Sequence, residues 1–122
     1  MSTGLEIAVA GLACRFPEAP DEDAFWRLLV EGRDGIRRFT ADEALAWGVP
    51  ATVARHVRFV GAHGIVDGQD LFDHARWGLT PREAEVRDPQ ARVLLELAQA
   101  ALENAGIVPG HTSAGIGVMA GP

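Results

Sequence analysis

The segment from Leu71 to Gly106 constrains the fold of this chain most, because it holds the longest regular helical pattern. Apolar residues recur there at the three- and four-residue spacing of one helix face: Leu94, Leu97, Ala98, Ala101, Leu102 and Ala105. This spacing predicts a long helix with one apolar side. Gly106 is placed to end that helix, and Pro109 lies beyond its end.

Two helix-start signals precede the long helix. Thr80 is followed by Pro81 and then by Glu83, which is the spacing of a capping box and predicts a short helix to Val86. Asp88, with a proline directly after it, repeats the signal and predicts the start of the long helix. The segment therefore predicts two successive helices, and it holds no obvious catalytic group.

The residues predicted to matter most have structural roles. Arg15, Asp88 and Arg92 are candidates for an ion network that links an early loop to the start of the long helix. Such a network contributes little to stability if exposed, and serves geometry more than stability if buried. The capping pair completes this set of structural residues: Thr80 and Glu83.

Two short apolar runs predict strands. Leu5 to Ala10, closed by Gly11, has the form of a strand that is buried on both faces, and Ala114 to Gly121 predicts a second one. A parallel or mixed sheet follows, so the predicted fold class is α/β, a small mixed sheet with packed helices. Since no element follows the second run to cover it, the pattern also predicts a structure cut short.

The stretch after the first strand predicts another helix, from the cap Asp21 to about Glu31, with Gly32 at its end. Acidic residues cluster in its first turn, where the helix dipole favours negative charge. The predicted buried stripe of this helix consists of Phe25, Leu28 and Leu29, widened by Trp26 and Val30.

The pattern weakens between Gly32 and the second half of the chain. Thr40 and Glu43 have capping-box spacing and predict one short helix through Trp47. A helical turn is predicted for residues 51–56, and residues 57–66 mix β-forming residues with glycine, which predicts an edge strand or an irregular hairpin.

The composition fits one globular domain over residues 1–122. The net charge of -6 argues against a sequence-independent grip on nucleic acid, which needs basic surface. All 11 basic residues are arginine, so no lysine-based covalent mechanism is available within the chain. With a single cysteine, no secretory leader and no membrane span in the sequence, the predicted setting is the cytoplasm.

The candidate chemical groups all have simpler interpretations. Cys14 has no histidine near it in sequence, so a small core or loop residue is preferred over a nucleophile. The glycines in the final apolar run match a phosphate-binding loop poorly and favour close strand packing, so no cofactor is predicted. No metal is predicted either, because the histidines lack ligand spacing and are interpreted as surface residues: His56, His63, His74 and His111.

Three stretches resemble the amino-terminal part of the β-ketoacyl synthase (ketosynthase) domain of modular polyketide synthases and hybrid nonribosomal peptide–polyketide synthases. They read IAVAGLACRFPEA, FWRLLVEGRDGI and LFDHARWGLTPREAEVRDPQARVLLELAQAALENAGI. The last is the most specific, because its fixed order of Phe-Asp, Thr-Pro-Arg-Glu-Ala and Asp-Pro-Gln-x-Arg is improbable by chance. The terminal GIGVMAG resembles the family's next strand.

The resemblance implies a thiolase-like fold and decarboxylative Claisen condensation on carrier-protein thioesters. It also implies a nucleophilic cysteine in a Thr-Ala-Cys-Ser-Ser context, followed by two histidines and a lysine, all downstream of the matched region. None of these motifs occurs in this sequence. Cys14 aligns with the early Ala-Cys-Arg-Phe-Pro element and not with the nucleophile, so the resemblance implies no catalytic residue here.

The chain departs from the family pattern at several positions. Glu18 stands where the pattern usually has glycine, and Ala91 replaces a polar residue. Arg76-Trp77 replaces an aromatic pair, and Gln99-Ala100 replaces a Trp-Glu pair on the long helix. If position 99 faces inward, the loss of its aromatic ring removes apolar burial worth about 2 kcal/mol.

Three functional hypotheses follow. The first is the amino-terminal portion of a ketosynthase, inactive by itself, whose partner is the remainder of the enzyme. The second is a naturally truncated, non-catalytic ketosynthase that docks on an assembly-line synthase or carrier protein. The third, an unrelated small α/β binding domain, is ranked below both. Exposed sheet edges in either truncated form predict a partner or self-association, including a homodimer, without nucleic acid or membrane as partner.

Overall fold

The computed structural model describes Gly4, residues 6–112 and residues 115–121. Its contacts divide the chain into two compact units, one formed by Cys14–Gly68 and the other by Met1–Ala13 with Gln69–Pro122. The single domain predicted over residues 1–122 stays a prediction. In chain order the elements are helix α1 (Glu22–Val30), strand β1 (Arg37–Arg38), helices α2 (Ala41–Ala46) and α3 (Ala51–Ala54), strand β2 (Ala62–His63), a 3-10 helix (His74–Trp77), and helices α4 (Pro81–Val86) and α5 (Pro89–Asn104).

Helix α1 opens the unit Cys14–Gly68 as predicted, because the side chain of Asp21 accepts a hydrogen bond from the backbone N–H of Ala24 at 2.8 Å. Its buried stripe is narrower than predicted. Leu28 is 6% exposed and Phe25 packs on Phe16 with ring centroids 4.6 Å apart. The rest of the predicted stripe lies at the surface: Trp26 at 67% exposure, Leu29 at 52% and Val30 at 68%.

Helix α2 begins with the capping box predicted at Thr40 and Glu43, and both of its hydrogen bonds are present. The region predicted as an edge strand or hairpin contributes only the residues of β2, which pairs antiparallel with β1, Arg37 opposite His63. An aromatic cluster lies beside this pair. The ring of Phe39 is 5.1 Å from that of Trp47 and 6.1 Å from that of Phe59.

In the other unit, helices α4 and α5 begin where the sequence predicts them, at Thr80 and Asp88. The apolar side predicted for α5 is only partly covered: none of its residues is fully buried, and Leu94 is 49% exposed. Ala84 on α4 is the one buried apolar residue among the described residues of this unit. The helical pattern therefore determines the helix, and burial of its face needs neighbours that the described residues do not supply.

The two predicted buried strands are corrected by the structure. Residues 6–10 and 115–121 are assigned to no strand; Leu5 and Ala114 lie outside the described residues. Ile7 is 95% exposed and Val118 is 81% exposed. A strand requires a neighbouring backbone to pair its N–H and C=O groups, and the described sheet includes neither of these segments. The described sheet is the antiparallel pair β1–β2, so it differs in place and direction from the mixed sheet predicted through residues 5–10.

Candidate functional site

The capping pair Thr80 and Glu83 has the geometry that the sequence predicts. The backbone N–H of Thr80 donates to Oε2 of Glu83 at 2.8 Å, and the Thr80 hydroxyl donates to the same oxygen at 2.7 Å. The backbone N–H of Glu83 returns a hydrogen bond to Oγ1 of Thr80 at 3.3 Å. The backbone N–H of Thr80 and, to a smaller extent, its hydroxyl hold the pKa of the Glu83 carboxyl below its ordinary value, because both donate hydrogen bonds to the charged form. The pair fixes a helix start and has no reactive group.

Asp88 and Arg92 lie at the start of α5. The Asp88 side chain accepts a hydrogen bond from the backbone N–H of Gln90 at 2.8 Å, so it caps the helix as predicted. Nε of Arg92 is buried without a hydrogen-bond partner. Arg15 belongs to the unit Cys14–Gly68, so the network predicted among Arg15, Asp88 and Arg92 stays a prediction.

Cys14 lies in a surrounding that opposes nucleophilic chemistry. Burial, and then the negative charges of Glu22 and Asp21, raise the pKa of its thiol. A reactive cysteine requires the opposite, a thiolate favoured by cationic neighbours or a helix N-terminus. The local electrostatics therefore agree with the interpretation of Cys14 as a structural residue.

The histidines make local contacts. Nδ1 of His74 donates to the carbonyl oxygen of Leu79 at 2.8 Å, in a partly buried position, and Nδ1 of His56 accepts from the backbone N–H of Arg58 at 3.1 Å. Across the described parts of the chain, no group of three or more His, Cys, Asp or Glu side chains is arranged to hold a metal ion. No helix in the same parts is long and apolar enough to cross a membrane.

Glu18 adopts a left-handed backbone conformation at the position where the resemblance leads us to expect glycine. Its φ is 60°, in the left-handed region, and it is the third residue of a turn closed by hydrogen bonds between the backbones of Phe16 and Ala19 at 2.8 and 3.0 Å. Pro17 occupies the second position. A positive φ at the third position is the requirement of a type II turn, which glycine meets without strain. The Glu18 carboxylate pairs with the guanidinium of Arg33.

A polar cluster that the sequence pattern does not predict joins the 3-10 helix to α5. Nε of Arg76 donates to Oε1 of Gln99 at 3.1 Å, and Nη2 of Arg76 donates to Oε1 of Glu103 at 3.2 Å. Nε2 of Gln99 also donates to Oε1 of Glu103, at 2.6 Å. The helical spacing of Gln99 and Glu103 is the only sequence signal for this cluster, because Arg76 lies on a separate element.

Two recesses flank the polar cluster. The first, the polar recess, has a volume of about 270 Å³ and is lined mainly by polar residues that include Asp73, Arg76 and Glu96. A largely apolar groove of about 370 Å³ is lined by residues that include Leu95, Leu102 and Ile107. Trp77, Gln99 and Glu103 line both. Neither recess contains a cysteine, serine or histidine, so the arrangement offers hydrogen bonding and apolar contact without a thiol, hydroxyl or imidazole group.

Residues 5–122 match the family model described as the β-ketoacyl synthase N-terminal domain. The chain belongs to this family. Among curated relatives it is similar to the polyketide synthase PksN of Bacillus subtilis, with 38% identity over 102 residues. It is also similar to the polyketide synthase GfsA of Streptomyces halstedii, with 40% identity over 120 residues. These alignments cover 84% and 94% of this chain, and 2% of each of the two synthases.

Solved ketosynthases share the fold of this β-ketoacyl synthase N-terminal region. Ketosynthase twelve of the bacillaene polyketide synthase from Bacillus amyloliquefaciens aligns with a TM-score of 0.69 at 35% identity, over 79% of this chain and 17% of that structure. The oxazolomycin ketosynthase domain of Streptomyces albus aligns with a TM-score of 0.66 at 29% identity, over 81% and 17%. The family resemblance and the thiolase-like α/β class predicted from sequence are confirmed.

Proposed function

We propose that this chain supplies the amino-terminal portion of a ketosynthase whose complete form joins acyl units by decarboxylative Claisen condensation, and that it is inactive by itself. Support comes from the family match over residues 5–122, combined with a sequence that lacks the Thr-Ala-Cys-Ser-Ser motif. The raised pKa of the Cys14 thiol adds to this support, because it disfavours the thiolate that acyl transfer needs. A cytoplasmic setting is part of the proposal and agrees with the single, free cysteine.

The observation that carries the proposal is the exposure of apolar segments that resemble family strands. Ile7, Val9, Val118 and Met119 are each at least 81% exposed. Apolar side chains of this size gain about 1.5–3 kcal/mol each when they are fully buried. The alignments cover only 17% of the solved ketosynthases described above, so the rest of such an enzyme is the proposed source of the missing cover.

The test is acylation of the purified chain. We expect no mass increase by intact mass spectrometry after incubation with an acyl thioester, and no carbon dioxide release from a malonyl-loaded carrier protein. The Cys14→Ala variant is the matched control. An acyl adduct that forms on the chain and disappears in Cys14→Ala would overturn the proposal of inactivity.

A second role, recruitment of an assembly-line synthase or carrier protein by a non-catalytic chain, is favoured by the same exposed apolar side chains and by Trp26 and Val30 on α1. Exposed apolar patches commonly mark interaction surfaces. The DNA downstream of codon 122 separates the two roles: continuation into a cysteine motif contradicts recruitment by a truncated chain. A stop codon, together with co-elution of the chain and a purified synthase module, supports it.

A further inference from the structure

The three hydrogen bonds among Arg76, Gln99 and Glu103 form a closed network, because each side chain contacts the other two. The network connects elements 23 and 27 positions apart in sequence. Gln99 is partly buried, whereas the side chains of Arg76 and Glu103 are 55% and 62% exposed. At such exposure the Arg76–Glu103 ion pair contributes little to stability. The stabilising effect of the network therefore comes mainly from the hydrogen bonds of Gln99.

Arg76 and Gln99 are also the positions where the chain departs from the aromatic residues of the family pattern. The structure brings the two departures into contact, with Nε of Arg76 3.1 Å from Oε1 of Gln99. An aromatic ring at position 76 alone would leave the Gln99 amide beside an apolar side chain, and a ring at position 99 alone would do the same to the Arg76 guanidinium. Arg76 and Gln99 are therefore compatible with each other, and each would lose its hydrogen-bond partner if the other were aromatic.

We propose that Arg76 and Gln99 are a matched pair that acts as a polar clamp between the 3-10 helix and α5 and positions Trp77. Trp77 is adjacent to Arg76 in the chain and stacks on Phe72, with the planes 7° apart and centroids 6.4 Å apart. It lines both recesses together with Gln99 and Glu103. The clamp thus positions the residues that lie between the polar recess and the apolar groove. This role goes beyond the proposed ketosynthase function and does not depend on it.

A double-mutant cycle tests the pairing. We expect Arg76→Ala and Gln99→Ala each to lower the folding equilibrium constant about five-fold, because each variant loses two of the three exposed hydrogen bonds of the network. The double variant should lose more than either single variant, because the remaining bond to Glu103 also goes, but less than the roughly 25-fold loss of independent sites, because the Arg76–Gln99 bond is removed only once. Arg82→Ala and Gln90→Ala form the control pair and should combine additively. A multiplicative loss in the Arg76/Gln99 cycle would overturn the pairing.

A spectroscopic readout tests the positioning without any unfolding transition. The chain has three tryptophans, so fluorotryptophan labelling yields three fluorine resonances, with that of residue 77 assigned through Trp77→Phe. We expect Arg76→Ala and Gln99→Ala to shift the Trp77 resonance in the same direction and to leave those of Trp26 and Trp47 unchanged. An unchanged Trp77 resonance, or equal shifts of all three, would contradict the positioning role.

Discussion

The backbone N–H of Leu12 donates a hydrogen bond to Oδ1 of Asn104 at 3.2 Å, which ties the loop after residues 6–10 to the last residue of α5. Asn104→Ala removes the acceptor and is expected to destabilise this unit by about 1 kcal/mol. Faster hydrogen exchange of the Leu12 amide is the direct measurement. Asn104→Asp keeps an acceptor oxygen and should retain the protection; equal exchange in both variants would contradict the contact.

Gly11 permits the close approach that this hydrogen bond accompanies. A Cβ at position 11 would lie 2.6 Å from both the carbonyl oxygen of Ala101 and the backbone nitrogen of Ala105. Backbone atoms of a helix cannot easily move aside, so Gly11→Ala is expected to cost about 1–3 kcal/mol, measured by urea denaturation. Gly117→Ala is the control, because its added Cβ meets no atom within 4 Å. Equal stabilities of the two variants would refute the steric argument.

Glu18 provides a prediction of increased stability. Replacing it with glycine removes the left-handed strain at φ 60°, and replacing it with alanine keeps the strain while also removing the carboxylate. Glu18→Gly is therefore expected to be about 1 kcal/mol more stable than Glu18→Ala. The comparison cancels the exposed pairing with Arg33, which both variants lose. Thermal unfolding of the two variants measures the difference, and a more stable alanine variant would show that the backbone is unstrained.

The two capping boxes predict how two carboxyl groups titrate. Hydrogen bonds from the backbone N–H and then the hydroxyl of Thr80 lower the pKa of Glu83, and the equivalent donors of Thr40 lower that of Glu43. A lowered folded-state pKa means that the stabilisation is complete above the unfolded carboxyl pKa and is lost as the pH falls through the folded value. Thr80→Ala keeps the backbone N–H, so the pKa of Glu83 should rise only part of the way.

A carbon-13 NMR titration of the carboxyl resonances measures both groups in one sample. Glu43 is the internal control, because its capping box lies on α2 and should be unaffected by Thr80→Ala. A rise in the pKa of both carboxyls would point to a general loss of structure instead of the loss of one hydroxyl donor.

The raised pKa of Cys14 predicts slow alkylation. Burial and the charges of Glu22 and Asp21 reduce the thiolate fraction, so iodoacetamide should label the folded chain at pH 8 more slowly than the chain in denaturant. Glu22→Gln removes one negative charge without altering the cap and should accelerate labelling. Glu85→Gln, a surface change on α4, is the control. An unchanged rate in Glu22→Gln would contradict the role of the Glu22 charge and leave burial and Asp21 as the causes.

Much of the helical structure follows from short-range signals. The capping boxes at Thr40 and Thr80 and the caps at Asp21 and Asp88 were predictable, because each joins a side chain to a backbone group two or three residues away. The family was recognisable for a related reason, since the most specific stretch of the resemblance runs through the helix starts at Thr80 and Asp88. The geometry of a helix start depends on residues that are near each other in sequence, so it can be predicted from the sequence.

The predictions that were wrong concern contacts between segments far apart in sequence. Residues 6–10 and 115–121 have the composition of buried strands, but a strand forms only beside another, and neither segment belongs to the described sheet. The apolar faces of α1 and α5 were predicted as buried, yet Leu29 is 52% and Leu94 is 49% exposed. Periodicity identifies which face is apolar and does not supply the element that covers it.

The sequence by itself determined where helices α1 to α5 begin, which family the chain belongs to, and that it lacks the motif of the catalytic cysteine. Only the tertiary structure decided that Arg76 contacts Gln99, and only the observed backbone shows that Glu18 occupies a left-handed turn position. The contact joins residues 23 positions apart, and the turn position depends on backbone hydrogen bonds between Phe16 and Ala19. The contact depends on how separate segments meet, which no periodicity or spacing along the chain expresses. The turn is local, and only the structure shows that a residue other than glycine holds its left-handed position.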